Sequence, residues 1–171
     1  MLCRGTRIRE IVRRLKILYK NETPLDIIHH RNIVLCYIDE NCISNGAYLK
    51  NENTQFIFIN TKLCDYEARM TYAHELGHSI LHPNVDTFEL KKTDPLLLTK
   101  YEKEAQIFAA EFLLDDDILE RYHGQSIFNV AREEYVSLEL VKLKLINLYK
   151  SNNLHEFNNL EESNFDEYYA I

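Results

Sequence analysis

Apolar residues recur along this chain at helical spacing, in alternation and as short unbroken runs. Ile8, Ile11, Val12, Leu15, Leu18 and Tyr19 fall three and four apart with arginines between them, which predicts an amphipathic helix over residues 6–20. Pro24 ends or resets it, and residues 25–30 add a short helical turn. Residues 32–38 form a β-branched run that reads as a buried strand. Asn45-Gly46 marks a turn, and residues 47–50 and 55–60 read as a hairpin around the polar tip 51–54. The second of these strands, Q-F-I-F-I-N, is too apolar to be wet on both faces.

The second half of the chain reads as helices. Asp65 is placed to cap one running from Tyr66 to about His82, and Pro83 follows its end. Residues 84–98 contain Pro95 and no firm pattern, and read as a loop. Residues 99–114 form the next helix, with Ala105, Phe108, Ala109 and Phe112 facing inward. Asp115, Asp116 and Asp117 cap a short helix to about His123, and Gly124 stops it. Residues 126–134 and 137–150 form a helix-turn-helix-like pair with a core of Ile127, Val130, Ala131, Tyr135, Val136, Leu140 and Val141. The tail beyond Lys150 is rich in Asn and acids and reads as loosely ordered or as a partner segment.

A length of 171 residues suits one domain with a small appendage, and 46% hydrophobic with 27% charged residues is ordinary globular composition. The net charge of −7 and pI near 5.5 argue against a general nucleic-acid or membrane-surface binder. The charge is uneven: Arg4, Arg7, Arg9, Arg13, Arg14, Lys16 and Lys20 crowd the start, whereas 151–171 holds five acids and no Lys or Arg. A folded amphipathic helix explains the basic start better than a transit peptide or a nucleic-acid arm does. Cys3, Cys36, Cys42 and Cys64 form no C-x-x-C pair and read as free thiols of a reducing cytosol. No apolar run reaches membrane-spanning length and no signal peptide is visible, so a cytoplasmic location is expected.

The chemistry concentrates at His74-Glu75-Leu76-Gly77-His78. Two histidines one helical turn apart lie on one face, about 6 Å from each other, so both can ligate one ion. Zinc suits such donors and keeps a position open for water, while iron, cobalt or manganese would also fit two imidazoles and a carboxylate. Glu75, on the same turn, can take the proton of a water that zinc makes acidic and pass it to a leaving amine. The bland reading is three surface residues on a helix. The surrounding Met70, Ala73, Leu76, Ile80 and Leu81 make the helix apolar and favour a site. His82 lies eight residues past His74, about 12 Å along the helix, too far to share the ion. It is expected to cap, to pack, or to stand behind a ligand. Glu102, Glu104 and Glu111 on the next helix are candidate third ligands. Glu102 shares a face with Gln106 and Ala109, Glu104 and Glu111 point elsewhere, and periodicity does not choose among them. Tyr72, His82 and His123 are candidate donors to the oxyanion.

The sequence H-E-L-G-H-S-I-L-H, followed about twenty residues later by E-K-E-A-Q-I-F-A-A-E-F-L-L, resembles the ImmA/IrrE family of metallopeptidases over about residues 45–118. The resemblance implies a third zinc ligand three residues before the alanine, which is Glu102. It also implies that Gln106 stands where an Asn or Asp usually steadies a ligand histidine. Gln is a departure there, and so is Leu113-Leu114-Asp115 where the family often has Leu-Met-Pro. Members come from phages, mobile elements and bacteria and typically cleave a helix-turn-helix repressor. The resemblance thus implies a zinc endopeptidase whose protein partner is such a repressor. A non-cleaving anti-repressor module with the same fold is the alternative.

The expected fold is α+β. A small three-stranded, mostly antiparallel sheet packs on zincin-type active-site helices over 1–122. A helix-turn-helix-like subdomain follows over 123–150, and an acidic tail over 151–171. Lys142, Lys144 and Lys150 are offset by Glu133, Glu134 and Glu139, so the subdomain reads as a packing or substrate-docking unit rather than a DNA reader. Residues 46–50 could pair with substrate backbone as an edge strand.

Overall fold

A hairpin whose second strand is sandwiched between two others organises the sheet. The computed structural model describes residues 4–39, 44–85, 90 and 92–152. Strands β1 (Val34–Ile38), β2 (Gly46–Asn51) and β3 (Thr54–Asn60) form one sheet in the order β1-β3-β2. β2 and β3 are the antiparallel hairpin, in register from Gly46↔Ile59 to Asn51↔Thr54. β1 lies on the other side of β3 and runs parallel to it, from Val34↔Phe56 to Ile38↔Asn60. The sheet is therefore mixed, with one pairing of each kind, and the expectation of a mostly antiparallel sheet is corrected. β1 joins the side of β3 that the hairpin leaves open and points the same way. The central position of β3 accounts for its apolar sequence, with Ile57, Ile59 and Asn60 buried.

The helices are α1 (Arg4–Leu18), α2 (Pro24–His30), α3 (Asp65–Leu81), α4 (Pro95–Leu113), α5 (Ile118–Arg121), α6 (Ile127–Glu133) and α7 (Leu138–Asn152). Two of their starts differ from expectation. Cys64, not Asp65, is the N-cap of α3, and its backbone N–H donates to the Glu67 carboxylate at 3.0 Å. α4 begins at Pro95, inside the segment expected to be loop. Proline fits the first helical position because its missing N–H would be unpaired there anyway, and Asp94 accepts from Leu97 N at 2.9 Å.

One contiguous core joins these layers. The sheet packs on α3, α3 on α4, and α4 on α1 and α7, so Tyr48, Ile57 and Ile59 share one buried cluster with Leu76, Phe108, Phe112, Val12, Leu140 and Leu148. Beneath it lies a polar bolt. Lys144 of α7, 1% exposed, donates to Glu111 of α4 at 2.7 Å and to Asp116 at 2.6 Å. Asn147 donates to the other Glu111 oxygen at 2.6 Å and to Gly5 O of α1 at 3.1 Å. The basic face of α1 is partly turned to acids: Arg9 meets Asp116 at 2.8 Å and Lys16 meets Asp115 at 3.0 Å.

The turn between α6 and α7 docks on α3 just before the histidine motif. Arg69 donates to Glu134 O at 3.1 Å, and Ser137 N approaches Met70 Sδ at 3.1 Å. Cys36 and Cys64 are free thiols. Cys3, Cys42 and the tail from residue 153 lie outside the described residues. No helix among the described residues is long and apolar enough to cross a membrane.

Candidate metal centre

α3 divides its faces between core and cleft. Ala73 and Leu76 are fully buried, while His74, Glu75 and His78 turn toward a cleft of about 660 Å³. Gly77 sets the distance to α4. A Cβ built there would stand 3.1 Å from the Phe108 ring, so the two helices come close at this point because the residue has no side chain. That approach brings Glu102 of α4 over the two histidines. Its Oε2 lies 3.1 Å from His74 Nε2 and its Oε1 lies 3.4 Å from His78 Nε2. The two Nε2 atoms are 3.1 Å apart, and all three donor atoms fall within 4.8 Å of one another. Glu104 and Glu111 go elsewhere, to His82 and to Lys144. Two imidazole nitrogens and one carboxylate converging on one point match the donor set of a zinc site with an open position.

Burial and charge act against each other here. Burial alone would raise the Glu102 carboxyl, but hydrogen bonds from His74 and His78, with their charge, hold it well below the usual range. Burial pushes His74 down, yet Glu102, the Glu75 charge and Gln106 outweigh it and leave His74 raised. His78 is lowered by burial, which Glu102 offsets only in part. Burial also lowers His82 against the pull of Glu104. Glu75 is 4% exposed, and burial pushes its carboxyl up to about 7 despite the attraction of His74.

β2 forms one wall of the cleft. Gly46 opens the strand rather than merely marking a turn. A Cβ on it would lie 2.6 Å from Thr71 Cγ2 and 2.8 Å from Glu75 Oε1, so only glycine lets the strand reach the Glu75 carboxylate. Ser137, Glu139 and Leu140 form another wall, and Leu98 of α4 also lines the cleft. The sequence places Gly46 only within a strand that could meet substrate, and Ser137, Glu139 and Leu140 only within a packing or substrate-docking unit, without singling out any of them. A glycine heading an alternating strand was the one local signal for the first, since it marks close backbone approach.

Several expectations find a place and others do not. Gln106 lines the cleft beside His74, but His74 Nδ1 is buried with no hydrogen-bond partner. His82 stands behind His78, its Nδ1 3.4 Å from His78 Nδ1. Tyr72 meets Tyr37 hydroxyl to hydroxyl at 3.4 Å, and His123 is exposed beyond α5. Neither of these two lines the cleft among the described residues.

Comparison with known proteins places the chain among relatives. Residues 29–145 match the model of the Peptidase_M78 family, described as the IrrE N-terminal-like domain. A Bacillus phage phi105 protein named "Uncharacterized immunity region protein 2" is 31% identical over 148 residues, covering 85% of this chain and 94% of that one. The "Metallopeptidase ImmA" of Bacillus subtilis (strain 168) is 36% identical over 78 residues, covering 44% of this chain and 45% of that one. With the family model spanning both histidines, Glu102 and the cleft walls, the chain belongs to the ImmA/IrrE family.

Proposed function

We propose that this protein is a cytoplasmic zinc endopeptidase that cleaves another protein, and that its substrate is a helix-turn-helix transcriptional repressor. His74, His78 and Glu102 would hold the zinc. The observation that carries the reading is Glu75, a carboxyl buried beside the three converging donors and titrating near neutrality. Zinc, when bound, would supply Lewis acidity toward water and a peptide carbonyl. Glu75 accepts a proton from the attacking water and delivers it to the leaving amine nitrogen. The outer edge of β2, at the cleft wall, offers backbone groups to an extended substrate segment. The turn before α7 and its first residues also line the cleft, which supports reading the C-terminal pair of helices as a substrate-docking unit rather than a DNA reader. The name of the phage relative supports a regulatory setting, and that of the Bacillus relative supports a metallopeptidase.

The test is incubation with any helix-turn-helix repressor encoded beside this gene, followed by mass spectrometry of the products. Discrete fragments that vanish with chelator and with Glu75→Gln are expected. Stoichiometric loss of the repressor's DNA binding without fragments would replace the peptidase by a binding module.

A further inference from the structure

Each ligand histidine offers one ring nitrogen to a metal, and its orientation depends on what holds the other. For His78 the inward atom is Nε2, which faces His74 Nε2 and Glu102. Its Nδ1 points away, 3.4 Å from Nδ1 of His82. His82 Nε2 lies 2.7 Å from Glu104 Oε2. The row is enclosed: His78 and His82 are buried, and the Tyr101 ring covers His82 with centroids 4.3 Å apart.

The tautomers follow from the atoms. A ligating Nε2 carries no proton, so neutral His78 carries its proton on Nδ1 and donates there. His82 Nδ1 must then accept, which puts the His82 proton on Nε2. That N–H needs an acceptor, and a carboxylate can only accept. Glu104 therefore selects the tautomer of His82, and His82 selects that of His78.

We propose that Glu104, acting through His82, is a positioning residue for the metal centre: the pair holds His78 in the Nδ1–H tautomer and ring orientation that present Nε2 to zinc. The proposal rests on His74, His78 and Glu102 being a zinc site and adds a role for Glu104 that is distinct from ligation.

Zinc affinity by competition with a chromophoric chelator tests it, read on wild type, Glu104→Gln, His82→Phe and the double variant. Each single variant is expected to bind zinc roughly 10- to 100-fold more weakly, the usual effect of losing a partner behind a ligand. Because Glu104 acts only through His82, the double variant should be no weaker than His82→Phe alone. Urea unfolding of the metal-free proteins identifies any variant whose loss is one of folding. Wild-type affinity in Glu104→Gln, or full additivity in the double variant, would overturn the proposal. Long-range proton–nitrogen NMR of the zinc-loaded wild type gives a reading that needs no variant. His78 should show an Nδ1–H and His82 an Nε2–H, and the opposite tautomer at His82 would also overturn it. If the wild type binds no zinc, the metal-site reading itself falls, an outcome distinct from unchanged variants.

Discussion

Replacing Glu75 with Gln should remove the chemistry and strengthen the metal-free fold. The Glu75 carboxyl titrates near 7 in the folded protein against an ordinary value of 4.5, chiefly because it is buried. A folded state that holds a proton more tightly than the unfolded chain loses stability as pH rises between those two values. The penalty is nearly absent below pH 4.5 and complete above pH 7. Each pKa unit corresponds to about 1.4 kcal/mol, so ionised Glu75 costs the metal-free protein up to about 3 kcal/mol at pH 8 and less than about 1 kcal/mol at pH 5. The attraction of His74 is already contained in that value. Gln has the same shape and no charge. Urea unfolding in EDTA, followed by far-UV circular dichroism at pH 5 and pH 8, reads the difference. Glu75→Gln should be more stable at pH 8, with the gap shrinking toward pH 5. No gain at pH 8, or an equal gain at both, would refute the argument that the carboxylate is held charged against its surroundings. With zinc added, the same variant should keep its metal and lose cleavage, a trade of stability for function.

Three other substitutions probe the cleft and its supports. His74→Ala should abolish zinc binding, seen as loss of metal by mass spectrometry after gel filtration. Gly46→Ala should reduce turnover while leaving zinc content near wild type, because its Cβ displaces β2 from Thr71 and Glu75; overpacking should cost about 1–3 kcal/mol in urea unfolding. Lys144→Met leaves the buried Glu111 carboxylate with Asn147 and the more distant Arg9 but without its close cation, and should destabilise by about 3–5 kcal/mol, whereas adding Glu111→Gln should restore much of the loss.

Local signals account for much of the fold and for part of the site. The four-residue spacing of His74 and His78 on an apolar helix was readable because a helix turns a sequence interval into a shared face. The hairpin and most helices follow from periodicity in the same way. Glu102 was not separable from Glu104 and Glu111 by period, since the choice depends on which face of α4 meets α3. Gly77 and Phe108 set that contact, and they lie 31 positions apart in the chain. The parallel β1–β3 pairing and the contribution of Ser137, Glu139 and Leu140 to the cleft are tertiary facts with no local pattern. Lys144 did leave a trace. It sits four residues from both Leu140 and Leu148, on an apolar stripe where a lone charge signals a buried partner.

The bolt between α7 and α4 also sets an order of assembly. Glu111 lies on the helix that carries Glu102, and its counter-charge arrives with Lys144 on a later helix. During synthesis α4 is made first, with a carboxylate that resists being drawn into the interior alone. Arg9 of α1 already stands 4.0 Å from that carboxylate, and α7 adds the closer cation, Lys144 at 2.7 Å. The helix that carries Glu102 thus gains its closest ionic tether from a helix made after it. A chain that stops before residue 137 lacks Ser137, Glu139 and Leu140, and with them part of the cleft lining.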